Sequence, residues 1–283
     1  MNMETIGVVG AGTMGNGIAQ VCAAAGFGVV MVDISTEAVQ QGIAAVSISL
    51  DRLMKKGKLT GNEKGAIVGR IKGTTSYADL SSADIVIEAA TENEAIKLRI
   101  LKEIDANVDP STVIATNTSS ISITRLAAAT RRPEKFIGTH FFNPVPLMEL
   151  VELVRGLQTS DETQTRVETF VKAIGKTAIV ARNSPGFAVN RILCPMINEA
   201  IFALQEGLAS AEEIDTGMKL GCNQPIGPLA LADLIGLDTM LSVMEVFYTN
   251  FNDSKYRPAP MLREMVDAGY LGRKSGRGFY SYS

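Results

Sequence analysis

The amino-acid sequence predicts an α/β protein: a mostly parallel sheet covered by helices, followed by a smaller all-helical domain. Three observations carry this. Short β-branched runs alternate with helical patterns over roughly the first 180 residues, which is how a parallel sheet with crossover helices reads. The glycine-rich stretch "VVGAGTMGNGIAQ" closes the first of those runs and opens a helix. From "NSPGFAVNRI" onward the strand-like runs stop, and long amphipathic helical patterns take over.

In chain order, the runs that predict strands are "TIGVVG" near 5–9, "GVVMVD" near 28–33, "DIVIEA" near 84–89, "TVIATN" near 112–117, "KFIGTH" near 135–140 and "TAIVA" near 177–181. Helical patterns fill the gaps between them. Pro185 and Gly186 interrupt the pattern, so a boundary is expected near residue 184, with residues 1–184 sheet-bearing and 185–283 helical. In the second part, Ser210 and Glu213 have capping-box spacing ahead of "IDTGMKL", and the only further strand candidate is the terminal "GFYSYS".

A chain of 283 residues fits two domains at about 150 residues each, and 46% apolar content is ample for their cores. A net charge of −3 argues against nucleic acid as the main ligand. Cys22, Cys194 and Cys222 lie far apart, without metal-ligand spacing and with one histidine to assist them, so reduced, buried thiols and no metal are expected in a cytoplasmic protein. No basic-then-apolar leader and no uncharged apolar run of membrane-spanning length is present, so no membrane association is expected.

Gly10, Gly12 and Gly15 have G-x-G-x-x-G spacing between strand and helix, the Rossmann-type arrangement. Gly10 makes the tight turn, Gly12 leaves room for a pyrophosphate, and Gly15 lets helix and strand pack closely. The helix N-terminus supplies free N–H groups and a partial positive charge. The cofactor's phosphates are therefore expected on Gly10, Ala11, Gly12, Thr13, Met14 and Gly15. The second strand ends at Asp33, 18 residues after Gly15, where a carboxylate would accept from an adenosine ribose and repel a 2′-phosphate. NAD is favoured over NADP.

The stretch "GTHFFNPVPLMELVEL" holds the one histidine of the chain, His140. A lone histidine can be a packed core residue. Here it ends a strand-like run and precedes a loop stiffened by Pro144 and Pro146. Ligands of open α/β sheets sit beyond the carboxyl ends of the strands. Asp33, Glu92, the segment Asn117 to Ser120, and His140 all fall at such ends. A histidine beside a nicotinamide suits general base catalysis of alcohol oxidation, and a carboxylate would fix its tautomer. Glu149 and Glu152 are both near. If their run is a returning strand, residues three apart point to opposite faces, so only one can meet His140. Ser119 could bind a substrate oxygen or cap the helix starting near 122.

The motifs "GAGTMGNGIAQ", "TNTSS", "THFFNPVPLMELVE", "NSPGFAVNR" and "GRKSGRGFY" together resemble the 3-hydroxyacyl-CoA dehydrogenases, specifically the short single-function bacterial 3-hydroxybutyryl-CoA enzymes, over the whole chain. That resemblance implies NAD-dependent interconversion of 3-hydroxyacyl-CoA and 3-oxoacyl-CoA. It places the catalytic pair on His140 and Glu152, with Ser119, Asn143 and Asn190 around the substrate and Asn143 also reaching the cofactor. Glu92 and Lys97 would meet the ribose and nicotinamide side, and Lys274 would close over the cofactor. Asn190 follows the boundary, one turn into the first helix of the second domain, so closure of the domains would complete the site.

The lysines of "DRLMKKGKLTGNEKG", Lys55, Lys56, Lys58 and Lys64, read as a solvated helix end or as cations that attract the phosphates of an acyl-CoA. The resemblance favours a helical CoA-binding arm near 36–70, with Ser49 and Lys56 as contacts. Two rivals are a 3-hydroxyacid dehydrogenase acting on free acids, which would use a lysine in place of the histidine and glutamate, and a non-enzymatic crystallin-like relative. The apolar stretch "PLALADLIGLDTMLSVMEVF" exceeds what one small domain is expected to bury, which points to a homodimer.

Overall fold

A computed structural model describes residues 3–282. The chain forms two compact units that divide between Ser184 and Pro185.

The first unit runs β1 (Thr5–Val9), α1 (Thr13–Ala24), β2 (Gly28–Val32), α2 (Thr36–Lys55), α3 (Gly61–Gly69), β3 (Ile71–Thr74), β4 (Ile85–Glu88), α4 (Glu94–Asn107), β5 (Val113–Thr116), α5 (Ile123–Ala127), β6 (Phe136–Phe141), β7 (Leu150–Arg155), α6 (Asp161–Ala173) and β8 (Thr177–Arg182). One eight-stranded sheet has the order β3-β2-β1-β4-β5-β6-β7-β8. The first six of these pair in parallel, β7 runs antiparallel to β6, and β8 is parallel to β7. This is a Rossmann-like sheet. Its central strands read as unbroken apolar runs because helices cover both faces, and Ile6, Val8, Ile85, Ile87 and Ala115 are fully buried.

All six strand-like runs of the sequence are strands. β3, "IKGT", is an addition: only Ile71 of its four residues is buried, so an edge strand of this length leaves no apolar pattern. The run returning from the proline loop is β7. Between β2 and β3, the helices α2 and α3 form a hairpin, and α3 begins with a capping box in which Thr60 and Glu63 satisfy each other's backbone.

The second unit is helical: α7 (Val189–Gln205), α8 (Ala211–Gly221), α9 (Pro228–Ile235), α10 (Leu237–Phe251) and α11 (Pro260–Asp267). Ser210 and Glu213 form the expected capping box at α8. Cys22 and Cys194 are buried as expected, but Cys222 is exposed, because it caps the end of α8 rather than facing a core. Within the terminal "GFYSYS", the described residues 278–282 do not form a strand. They make isolated bridges only, because the N–H groups of Phe279 and Tyr280 donate to the carboxylate of Asp233 rather than to a ladder. Asp215 likewise accepts from the N–H groups of Leu229 and Ala230 at the start of α9 and from the Tyr280 hydroxyl. Burial, followed by that bond to Asp215, pushes the Tyr280 phenol above its ordinary range. The apolar stretch behind the dimer expectation is largely consumed within the unit: Leu229, Leu237, Met240, Met244 and Phe247 are fully buried, whereas Leu234 and Tyr248 stay exposed.

Candidate active site

The parallel strands place their carboxyl ends along one edge of the sheet, and the candidate residues of the first unit gather there. At the end of β1, Gly10 holds φ +102°, a backbone that side chains rarely adopt. A Cβ on Gly15 would lie 1.8 Å from the carbonyl oxygen of Gly10, so the helix can approach the strand only without one. A Cβ on Gly12 would meet nothing within 4 Å, which leaves the face of the turn open. Asp33 follows β2. One of its carboxylate oxygens accepts from the N–H of Ala11 at 2.6 Å and the other from Ile34 at 2.7 Å, which ties the acid to the glycine turn. Each oxygen keeps lone-pair capacity for a further donor.

At the end of β4 stands Glu88, fully buried, with Lys97 of α4 paired to it at 2.5 Å. Thr116, closing β5, donates its hydroxyl to the same carboxylate, and Ala90 N–H occupies the other oxygen. The sequence reading passed over Glu88. Its one signal was an acid ending an apolar strand, nine residues before a lysine that a helix turns back toward it.

Glu92 lies just beyond. It accepts from the N–H and hydroxyl of Ser119, at 2.7 and 3.1 Å, and from the Thr118 hydroxyl at 2.8 Å. The structure therefore joins Glu92 to Ser119, two residues that the sequence had placed separately. Ser119 does not cap the following helix; Ser122 does, accepting from Arg125 N–H. Asn117 accepts from the N–H of Phe141 and so ties the end of β5 to the end of β6.

His140 is the fifth residue of β6, and its register partner across the antiparallel pair is Glu152 of β7. Directly opposed residues share a face of the sheet. The His140 Nδ1 lies 2.7 Å from a Glu152 carboxylate oxygen, with Glu152 0% and His140 7% exposed. A carboxylate is an acceptor only, so this bond places the proton on Nδ1 and leaves Nε2 as the atom able to take or give one. Glu149 precedes β7 and is exposed.

The proline loop beyond β6 carries Asn143. Together with Ser49 of α2 it lines a cavity of about 400 Å³ between α1, α2 and that loop. Lys56 caps α2 and is exposed, as are Lys55 and Lys58, whereas Lys64 is paired with Asp51 at 2.7 Å. Asn190 and Lys274 belong to the second unit. Asn190 sits in the first turn of α7 itself rather than one turn in, because the segment after Gly186 forms turns up to Ala188. Lys274 donates to both oxygens of Asp238.

The NAD-binding domain of 3-hydroxyacyl-CoA dehydrogenases matches residues 5–184, and the C-terminal domain of the same enzymes matches residues 186–282. The chain belongs to the 3-hydroxyacyl-CoA dehydrogenase family. The 3-hydroxybutyryl-CoA dehydrogenase of Bradyrhizobium diazoefficiens is 52% identical over 280 residues, covering 99% of this chain and 96% of its own. A probable 3-hydroxybutyryl-CoA dehydrogenase of Bacillus subtilis is 52% identical over 282 residues, covering 100% and 98%. Among solved structures, the (S)-3-hydroxybutyryl-CoA dehydrogenase of Ralstonia eutropha superposes with a TM-score of 0.98 at 68% identity over all of both chains.

NAD is the cofactor of this dehydrogenase. The residues present fit it: the turn is open where Gly12 lacks a side chain, Gly10 and Gly15 permit the close backbone approach, and Asp33 offers carboxylate oxygens beside the turn. No helix among the described residues is long and apolar enough to cross a membrane.

Proposed function

We propose that this dehydrogenase interconverts (S)-3-hydroxybutyryl-CoA and acetoacetyl-CoA, with His140 moving the proton and Glu152 orienting it. The observation that carries this reading is the direct opposition of the two residues across β6 and β7, with a 2.7 Å hydrogen bond between buried side chains. The substrate assignment draws on the likeness to the 3-hydroxybutyryl-CoA dehydrogenases.

In the oxidative direction, His140 Nε2 takes the proton of the C3 hydroxyl while Glu152 holds Nδ1–H and stabilises the imidazolium that forms. Ser119, whose N–H and hydroxyl both reach Glu92, turns its hydroxyl to donate to the substrate's C3 oxygen, since the one proton of the C3 hydroxyl goes to His140. Asn143 supplies an amide donor from the proline loop. NAD, held by the glycine turn and Asp33, would supply the acceptor for the hydride that leaves C3. Its phosphates would lie on residues 10–15, its adenosine ribose on Asp33, and its nicotinamide side near Glu92, Lys97 and Asn143.

The test is a set of initial rates on acetoacetyl-CoA and longer 3-oxoacyl-CoA thioesters, with NADH and NADPH in parallel. Fastest turnover of the four-carbon thioester with NADH supports the reading; a preference for longer chains or for free 3-hydroxyacids overturns it. The exposed Leu220, Leu234 and Tyr248 of the second unit support a homodimer, which sedimentation equilibrium checks.

A further inference from the structure

We infer that Lys176 is a positioning residue for the reaction: its ammonium fastens the proline loop, so that Asn143 keeps its place relative to His140. This rests on the role given to Asn143 above and adds to it a residue from outside the site, in the turn between α6 and β8.

The loop between β6 and β7 has few interactions of its own. Asn143, Pro144, Leu147, Met148 and Glu149 are exposed, and Val145 is its one buried residue. Its backbone makes a single internal turn, in which the Pro144 carbonyl accepts from the N–H groups of Leu147 and Met148 at 2.9 and 3.0 Å. Segments with so few buried contacts open more easily than the core around them. A loop that carries a substrate-binding amide therefore needs fastening from outside.

Two contacts supply it. Lys176, the residue before β8, donates its Nζ to the carbonyl oxygens of Val145 at 2.7 Å and Met148 at 2.6 Å, which clasps the turn at both ends. Strand pairing resumes only beyond these carbonyls, where Thr177 N–H donates to the Glu149 carbonyl at 2.8 Å. An ammonium, with three donors on one atom, can serve two carbonyls that no ladder reaches. It gives up water to do so: burial lowers the Lys176 pKa below the ordinary lysine value, and the Glu149 carboxylate offsets part of that. The second contact is Gly17 of α1, the helix that follows the glycine turn. A Cβ there would lie 2.8 Å from the Val145 Cβ, so the loop can rest on α1 only because this position is bare.

The strand side of the site is held independently, since Phe141 N–H donates to Asn117. Release of the clasp would consequently displace Asn143, three residues beyond His140, and leave His140 where β6 and β7 put it. Lys176 thus acts through Asn143 rather than on the reacting atoms.

The experiment measures kcat and KM for acetoacetyl-CoA, the NADH Kd by fluorescence and thermal unfolding in Lys176→Met, Lys176→Arg, Asn143→Ala and Lys176→Met/Asn143→Ala. Lys176→Met is expected to lower kcat roughly ten- to a hundredfold, the scale of a misplacement of about 1 Å, with the NADH Kd unchanged. Lys176→Arg, which keeps a donating cation, recovers most of that loss. In the Asn143→Ala background, Lys176→Met costs little more, because the group it positions is already gone. A lower unfolding temperature with kcat intact overturns the proposal, and so do losses that multiply in the double variant. If Lys176→Met does not fold, Gly17→Ala presses the loop from the α1 side, and its kcat loss must likewise disappear in the Asn143→Ala background. An Asn143→Ala enzyme with normal kcat overturns the role of Asn143 itself, a different failure, and leaves Lys176 nothing to position.

Discussion

Lys97 and Glu88 form an ion pair at 2.5 Å with 1% and 0% of their side chains exposed, at the point where β4 and β5 deliver the chain to the active-site edge. Removing one partner from such a pair leaves the other charged and desolvated, at a cost of about 3–5 kcal/mol, whereas apolar replacement of both is often close to neutral. Lys97→Met is therefore expected to lower stability by that amount in denaturant unfolding, and Glu88→Leu/Lys97→Met by much less. Lys97 retains a donor beyond its bonds to Glu88 and Thr116. If that donor reaches the cofactor, the double variant binds NADH more weakly even where it is stable. Unchanged NADH affinity makes Lys97 a scaffold residue.

Cofactor choice tests Asp33. Its carboxylate is fixed to the glycine turn by the N–H of Ala11 at 2.6 Å, so it cannot swing away from a 2′-phosphate without breaking that bond. NADH is expected to exceed NADPH by at least about tenfold in kcat/KM, on the order of 1.4 kcal/mol. Asp33→Ala should narrow the gap. Equal rates with the two cofactors in the wild type would remove Asp33 from that role.

Much of this site was legible in the sequence because each part obeys a local rule. The glycine turn declares itself by spacing after a strand, and the proline loop marks where β6 ends, which put His140 at the sheet edge. The choice between Glu149 and Glu152 was not legible from residues alone, since it depends on the register of β7 against β6, a property of two strands rather than of either. Glu88 was missed because an acid at the end of a buried strand looks like the strand's polar terminus; its meaning comes from α4 folding Lys97 back onto it.

The lysine arm gives a charge test of its own. Lys56, exposed at the end of α2 as Lys55 and Lys58 are, is the cation of this run that the family resemblance places on CoA, whereas Lys64 is paired with Asp51. Lys56→Ala is expected to raise KM for acetoacetyl-CoA a few-fold with kcat nearly unchanged, because a remote phosphate is held about equally in ground and transition states. Lys64→Ala should do less. A KM insensitive to Lys56→Ala at low ionic strength means that the run is a solvated helix end.

The sharpest test concerns His140 and Glu152. His140→Ala is expected to cost roughly 10²–10⁴ in kcat, the usual worth of general acid–base catalysis, in a protein that still folds and binds NADH. Glu152→Gln removes the carboxylate that orients Nδ1–H and stabilises the imidazolium, so kcat should fall strongly, whereas the exposed Glu149 should tolerate the same change. Glu152 is fully buried, so thermal unfolding of each variant separates lost orientation from lost structure. The double variant His140→Ala/Glu152→Gln should be little worse than His140→Ala alone, because once the imidazole is gone its partner has nothing left to orient. Losses that multiply would mean that the two side chains act on separate steps. A His140→Ala enzyme with near-normal kcat would reduce the pair to a buried hydrogen bond between adjacent strands, and the proton would have to leave by another group.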